Sequence, residues 1–217
     1  MPVFFEQAIA DLRAAGAILV EIEFEPPREM YRDEFEVLLY ELRRDMNSYL
    51  SSLPGENLPS SLEAIVAFNK ANANEELRWF DQDLFELALT KTDEQAYRAA
   101  RQNSRRLARE EGIDRLLREY DVRFLLAPTT GPAWASDLVN GDNYPGGIGA
   151  GSLAAIAGYP HLTVPMGQVE SLPVGLSIIG SAWDDHAVLK AGAAYERART
   201  ATTFPPGLRP WMSKSDE

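Results

Sequence analysis

No cysteine occurs among the 217 residues, which excludes disulfides, a thiolate nucleophile and Cys-ligated zinc. The same lack fits a reducing compartment, so a cytoplasmic location is expected. Positive charge is scarce as well. Against 33 Asp and Glu stand 21 Lys and Arg, a net charge of −12, which opposes whole-surface attraction to nucleic acid or an anionic membrane. Apolar runs stay well short of the ~20 residues needed to span a bilayer. Glu6, Asp11 and Arg13 also interrupt the N-terminal segment, where a secretory signal needs a continuous apolar stretch. Neither nucleic acid nor membrane is therefore an expected partner. What remains is an ordinary globular mixture, 45% hydrophobic and 25% charged, long enough to bury a core without covalent staples and free of repeats or low-complexity tracts.

Periodicity divides the chain. Phe4, Ala8, Ile9, Leu12 and Ala15 share a helical face that Gly16 stops. Val20, Ile22 and Phe24 then alternate with glutamates, as a strand with one buried face does, until Pro26-Pro27. Residues 1–25 thus read as helix then strand. From 26 to 121 the pattern is helical, with an apolar stripe of Phe35, Leu38, Leu39, Leu42, Met46 and Tyr49. Ser60-Ser61-Leu62-Glu63 and Thr92-Asp93-Glu94-Gln95 have the form of capping boxes, the second opening a helix expected to run from Asp93 to about Arg118. Residues 122–199 change to α/β texture. Strands are predicted at Val122 to Ala127, Thr163 to Met166 and Val174 to Ile179, and a closing helix at Asp184 to Arg199. The tail, 200–217, reads as irregular. The whole is taken as a single domain of α/β class: a mixed, twisted sheet covered by helices, with a helical insertion.

The most informative stretch runs from Phe124 to Gly180. FLLAPTTGPAW is followed by a glycine-rich loop, then GSLAAIAGYPHLTVPMG and LPVGLSIIG. A short apolar run ends in a Pro-Thr-Thr-Gly-Pro turn, a small-residue helix stops at Gly158-Tyr159-Pro160, and two β-rich runs follow. This order resembles the C-terminal part of the amidase signature family, and TTGPAW with GYPHLTVPMGQ is similar to its bacterial, peptide-amidase-type members. The resemblance implies an amide (C–N) hydrolase, working through a Ser, cis-Ser, Lys triad with no metal or cofactor. It also implies a linear amide or C-terminal peptide amide as substrate.

The triad itself has no counterpart. The family presents its serines on a Gly-Gly-Ser-Ser-Gly-Gly type loop, whereas the adjacent serines here, Ser51-Ser52 and Ser60-Ser61, have no flanking glycines and sit where a helix ends or begins. Lys70, Lys91, Lys190 and Lys214 lack the small, apolar surroundings that tune a lysine for base catalysis. No catalytic residue is assigned. The resemblance implies that the segment from Thr130 to Ser152 turns toward the substrate cleft and forms one side of it. Trp134, Asn143 and Tyr144 are the side chains there best able to touch a ligand. The alternative for the same residues is that Trp134 packs on the surface and Asp142-Asn143 makes a turn.

Other patterns have weaker claims. Gly149-x-Gly151-x-x-Ala154 has the form of a dinucleotide loop but follows polar sequence rather than a strand. Arg101, Arg105 and Arg109 line a helix face, yet interleaved acids favour a solvated, ion-paired surface. His161 opens a strand, and the acids around His186 suit a helix start better than a metal.

The sequence thus predicts the C-terminal portion of an amide hydrolase, supplying scaffold and part of the pocket wall and inactive alone. Its expected partner is a missing N-terminal catalytic half, in the same or a separate chain. Unpaired strand edges predict self-association. The alternative function is a non-enzymatic interaction or regulatory module that keeps the scaffold.

Overall fold

A computed structural model describes residues 2–55, 58–134, 136–142, 144 and 149–204. The chain forms two compact units: residues 1–23, 113–136 and 142–217 make the first, and 24–112 with 137–141 the second.

The first unit is built on three antiparallel strands, β1 (Leu125–Pro128), β2 (His161–Val169) and β3 (Leu172–Ile179), in the order β1-β3-β2. Leu126 pairs with Ile178, and Thr163 with Ser177. The α/β class holds, and among the described residues the sheet is antiparallel rather than mixed. β2 and β3 join through Glu170 and Ser171, both at positive φ (47° and 68°), the geometry of a two-residue hairpin turn that follows strand twist. One face of the sheet is apolar: Val164, Met166, Val174, Leu176 and Ile178 pack with Ala8 of α1 (Pro2–Ala14) and with Val188 and Tyr195 of α9 (Asp185–Ala198). Fully buried Leu176 and Ile178 stabilise this layer by about 2 kcal/mol each. The short helix α8 (Gly151–Ala157) ends at Gly158, whose φ of 66° is the left-handed cap that glycine adopts without penalty.

The second unit is helical, comprising α2 (Arg28–Ser52), α3 (Leu62–Ala71), α4 (Ala73–Glu76), α5 (Asp83–Thr90) and α6 (Glu94–Ala108). Leu39, Leu62 and Ala88 form its apolar centre, flanked by Leu42, Met46, Phe85 and Leu89. Tyr40 and Tyr97 stack at 4.2 Å, and Tyr97 Oη donates to Glu41 at 2.6 Å.

Four expectations need correction. The strand expected at Val20 to Phe24 is absent among the described residues, where 17–27 form neither helix nor strand, and Ile18 is 92% exposed. Alternation marks the two faces of a strand without supplying the neighbour that makes it one. The apolar stripe on α2 is only partly interior, since Phe35, Leu38 and Tyr49 are exposed. Both capping boxes are displaced by one residue: Ser61 accepts from Ala64 N, and the Asp93 carboxylate accepts from Gln95 N and Ala96 N. The helix from Asp93 breaks at a π-helical turn, Arg109–Ile113, where Gly112 leaves helical geometry before α7 (Asp114–Glu119). Glycine is a weak helix former, and the break falls on it.

Candidate functional site

β1 delivers the chain to Thr129 and Thr130, and α8 receives it back at Ala150 and Gly151. Backbone bonds close the base of the intervening loop. Thr129 N donates to Gly175 O at 2.8 Å, Ala150 N donates to Thr129 O at 3.0 Å, and Thr130 forms an isolated antiparallel bridge with Gly149. Gly149 therefore faces Thr130, which fits loop closure rather than the strand-to-helix turn of a dinucleotide site.

On this loop Trp134 and Tyr144 come together, ring centroids 4.7 Å apart and tilted by 49°. The Trp134 indole N–H donates to the Asp142 carboxylate. The two rings remain 44% and 50% exposed, an aromatic surface held from behind by a carboxylate. Thr130 and Ser152 lie exposed at the two ends of the loop, and Asn143 lies outside the described residues. Asp142, read from sequence as a turn residue, is the indole's partner. No periodicity announces a contact across eight residues of loop.

Beneath the loop lies a polar cluster that sequence reasoning missed. Ser177 on central β3 is 0% exposed. Its Oγ lies 2.8 Å from Thr129 Oγ1 and 2.7 Å from His161 Nε2. Thr163 Oγ1 is a longer 3.4 Å from Thr129 Oγ1. Burial holds the His161 imidazole below its ordinary pKa, favouring the neutral ring. Gly175 makes room for the cluster: a Cβ there would come within 2.4 Å of Thr163 Cγ2 and 2.9 Å of Thr129 Oγ1. Thr163 faces Ser177 in the hairpin register, so the signal was the pairing of two strands, which the hydrophobic pattern alone leaves unset.

Two of the serines and two of the lysines are held in local contacts, and Lys214 lies outside the described residues. Ser51 and Ser52 hydroxyls donate to the carbonyls of Ser48 and Tyr49, Lys70 pairs with Glu86 at 2.8 Å, and Lys91 with Glu36 at 2.7 Å. On the arginine face, Arg98 pairs with Glu94 at 2.6 Å and Arg106 contacts Glu111. Cavities of about 430 and 460 Å³ open in the helical unit, over Ala96, Ala99 and Ala100 and along Leu38, Leu42 and Met46, and no loop residue lines either. Among the described residues no cluster of three His, Asp or Glu is placed to hold a metal ion, and no helix is long and apolar enough to cross a membrane.

A sequence model of the family described as Amidase matches residues 1–189. Among solved structures, that of PAM12A superposes with a TM-score of 0.86 at 40% identity, over 96% of this chain and 42% of that one. The native peptide amidase of Stenotrophomonas maltophilia gives 0.81 at 39% identity, over 95% and 41%. Among curated relatives, a glutamyl-tRNA(Gln) amidotransferase subunit of Latilactobacillus sakei is 35% identical over 103 residues, 46% of this chain and 20% of that protein. The chain thus spans well under half the length of these relatives.

Proposed function

We propose that this chain, which belongs to the amidase family, supplies the scaffold and one side of the substrate cleft of a peptide-amidase-like amide hydrolase. The nucleophile, bridging serine, lysine and oxyanion donors come from a catalytic half outside this chain. The observation that carries this reading is a likeness that is high and partial at once: 40% identity over 96% of this chain, but only 42% of a peptide amidase. That protein is a peptide amidase held with the competitive inhibitor chymostatin, so a peptide amide is the substrate class brought to this chain.

Each part of the site has a task in that scheme. The loop closed at Thr130 and Gly149 is a wall whose exposed Trp134–Tyr144 pair offers planar apolar area to the acyl side of an amide. Asp142 fixes the indole, so little rotamer freedom is lost when a ligand docks. With no activated hydroxyl of its own, the chain binds and orients and leaves bond breaking to the other half.

A chimera tests this. The matching part of the S. maltophilia peptide amidase is replaced by this chain and assayed on peptide amides, beside the chain alone. The chimera should turn over and the chain alone should not. Trp134→Ala in the chimera should raise KM more than it lowers kcat, as lost uniform binding does. A folded but inactive chimera, or turnover by the isolated chain that vanishes on mutating one of its residues, would sink the proposal. The second outcome would place the chemistry in this chain. The first would favour a non-enzymatic module.

A further inference from the structure

We infer that His161 is a positioning residue: through the buried Ser177 hydroxyl it fixes Thr129, and with it the base of the loop that carries Trp134 and Tyr144.

The chain of contacts is short. His161 Nε2 and Ser177 Oγ share a hydrogen bond at 2.7 Å, and Ser177 Oγ and Thr129 Oγ1 share another at 2.8 Å. Ser177 has one proton for two neighbours and no exposure to water, so it donates to at most one of them and accepts from at least one. Losing either bond leaves the buried hydroxyl with a single side-chain partner. Thr129 is the joint. Its hydroxyl joins the cluster, its N–H binds Gly175, and its carbonyl accepts from Ala150, the residue that brings the loop back. A Cβ built on Gly151 would lie 4.0 Å from His161 Cε1, so the imidazole sits close to the returning end as well. One ring is thus bonded through Ser177 to the outgoing end of the loop and lies near the other.

Among the described residues those placed at the ring, Ser177 from the sheet and Gly151 from α8, carry no charge, and burial is the cause of its lowered pKa. A neutral ring offers Nε2 as donor or acceptor, so it can serve whichever direction Ser177 takes. The inference concerns the loop itself and borrows from the amide-hydrolase reading only its consequence for substrate. Its test therefore uses no activity, and either idea can fail alone.

The measurement is amide hydrogen exchange and NMR on the full chain, comparing wild type with His161→Ala, His161→Gln and Ser177→Ala. Exchange at Ala150 N–H should quicken by about tenfold or more in both alanine variants, relative to the hairpin amides, as loss of a hydrogen-bonded anchor lowers local opening energy. His161→Gln, whose amide can still reach Ser177, should restore protection. Unchanged Ala150 exchange in both alanine variants would overturn the inference, and so would a glutamine variant as loose as alanine. Should the variants fail to fold, wild type decides the matter. On acidification, the Trp134 indole and Ala150 resonances should move in step with the His161 ring, and a ring that titrates while both stay still refutes the linkage.

Discussion

Asp11 joins the two ends of the first unit, and its removal should cost about 2 kcal/mol. The carboxylate, on α1 and only 5% exposed, accepts from Thr200 N at 2.8 Å, Thr200 Oγ1 at 2.9 Å and Gln7 Nε2 at 2.9 Å. Burial pushes its pKa upward, but the bonds from Thr200 and Gln7 outweigh burial and hold it below the usual carboxylate range. Hydrogen bonds to a charged group contribute about 1.5–3 kcal/mol each. In Asp11→Ala, however, Gln7 and Thr200 are exposed enough to turn to water, which limits the loss to the low end of one such bond rather than the sum of three. Asp11→Asn keeps one acceptor and should lose about half as much. The folded pKa lies below the unfolded one, so the carboxylate's contribution is complete above the unfolded value of about 4 and fades as pH falls through the folded value. Urea unfolding of wild type and both variants, at neutral pH and stepwise into acid, reads this directly. The reasoning fails if Asp11→Ala lies within about 0.5 kcal/mol of wild type at neutral pH, or if the gap persists after full protonation.

Tyr195 is fully buried and its hydroxyl finds no hydrogen-bond partner among the described residues, so Tyr195→Phe should be neutral or stabilising by about 1 kcal/mol in urea unfolding. Burial, with the Asp11 charge, pushes its pKa up to about 12; stability should therefore fall as pH rises from 10 toward 12, and the phenylalanine variant should lose that part of the fall. Glu170 and Ser171 carry a left-handed backbone penalty in the β2–β3 turn, and the double change to Asn-Gly should raise the urea midpoint by an amount worth about 1 kcal/mol. Exposed Ile18, together with the outer strands β1 and β2 that pair on one side only among the described residues, should drive self-association; light scattering at rising concentration checks this, and a clean monomer counts against it.

Where one physical rule decides the outcome, the sequence was legible. The closing helix, the three strands of the first unit and the glycine stop after α8 follow from periodicity and backbone preference at single positions. Val20 to Phe24 carry the alternation of a strand, yet join no ladder among the described residues, because the deciding factor is a neighbour that local pattern does not name. The α2 stripe failed similarly: Leu39 is buried against α3 and α5, while Leu38 and Tyr49 share its spacing without a cover. At the site, Trp134 and Tyr144 were legible as large rings on a glycine-rich loop. Their meeting, and the support of Asp142, depends on a loop path that no residue pattern encodes.

The central strand shows why the base of that loop matters more than its tip. Val174, Leu176 and Ile178 fill the face of β3 turned to α1 and α9, as a buried strand requires. On the other face the strand presents Gly175 and Ser177, opposite Pro165 and Thr163 of β2. Burying the Ser177 hydroxyl costs about 1–3 kcal/mol unless its bonds are made, so folding alone does not favour it. What the hydroxyl gains is direction, since its two side-chain partners are Thr129 and His161. A device of that kind specifies geometry rather than stability. Ser177→Ala should therefore leave the unfolding free energy within about 1 kcal/mol of wild type while loosening Ala150. A large stability loss with Ala150 still protected would instead make the cluster an ordinary piece of core.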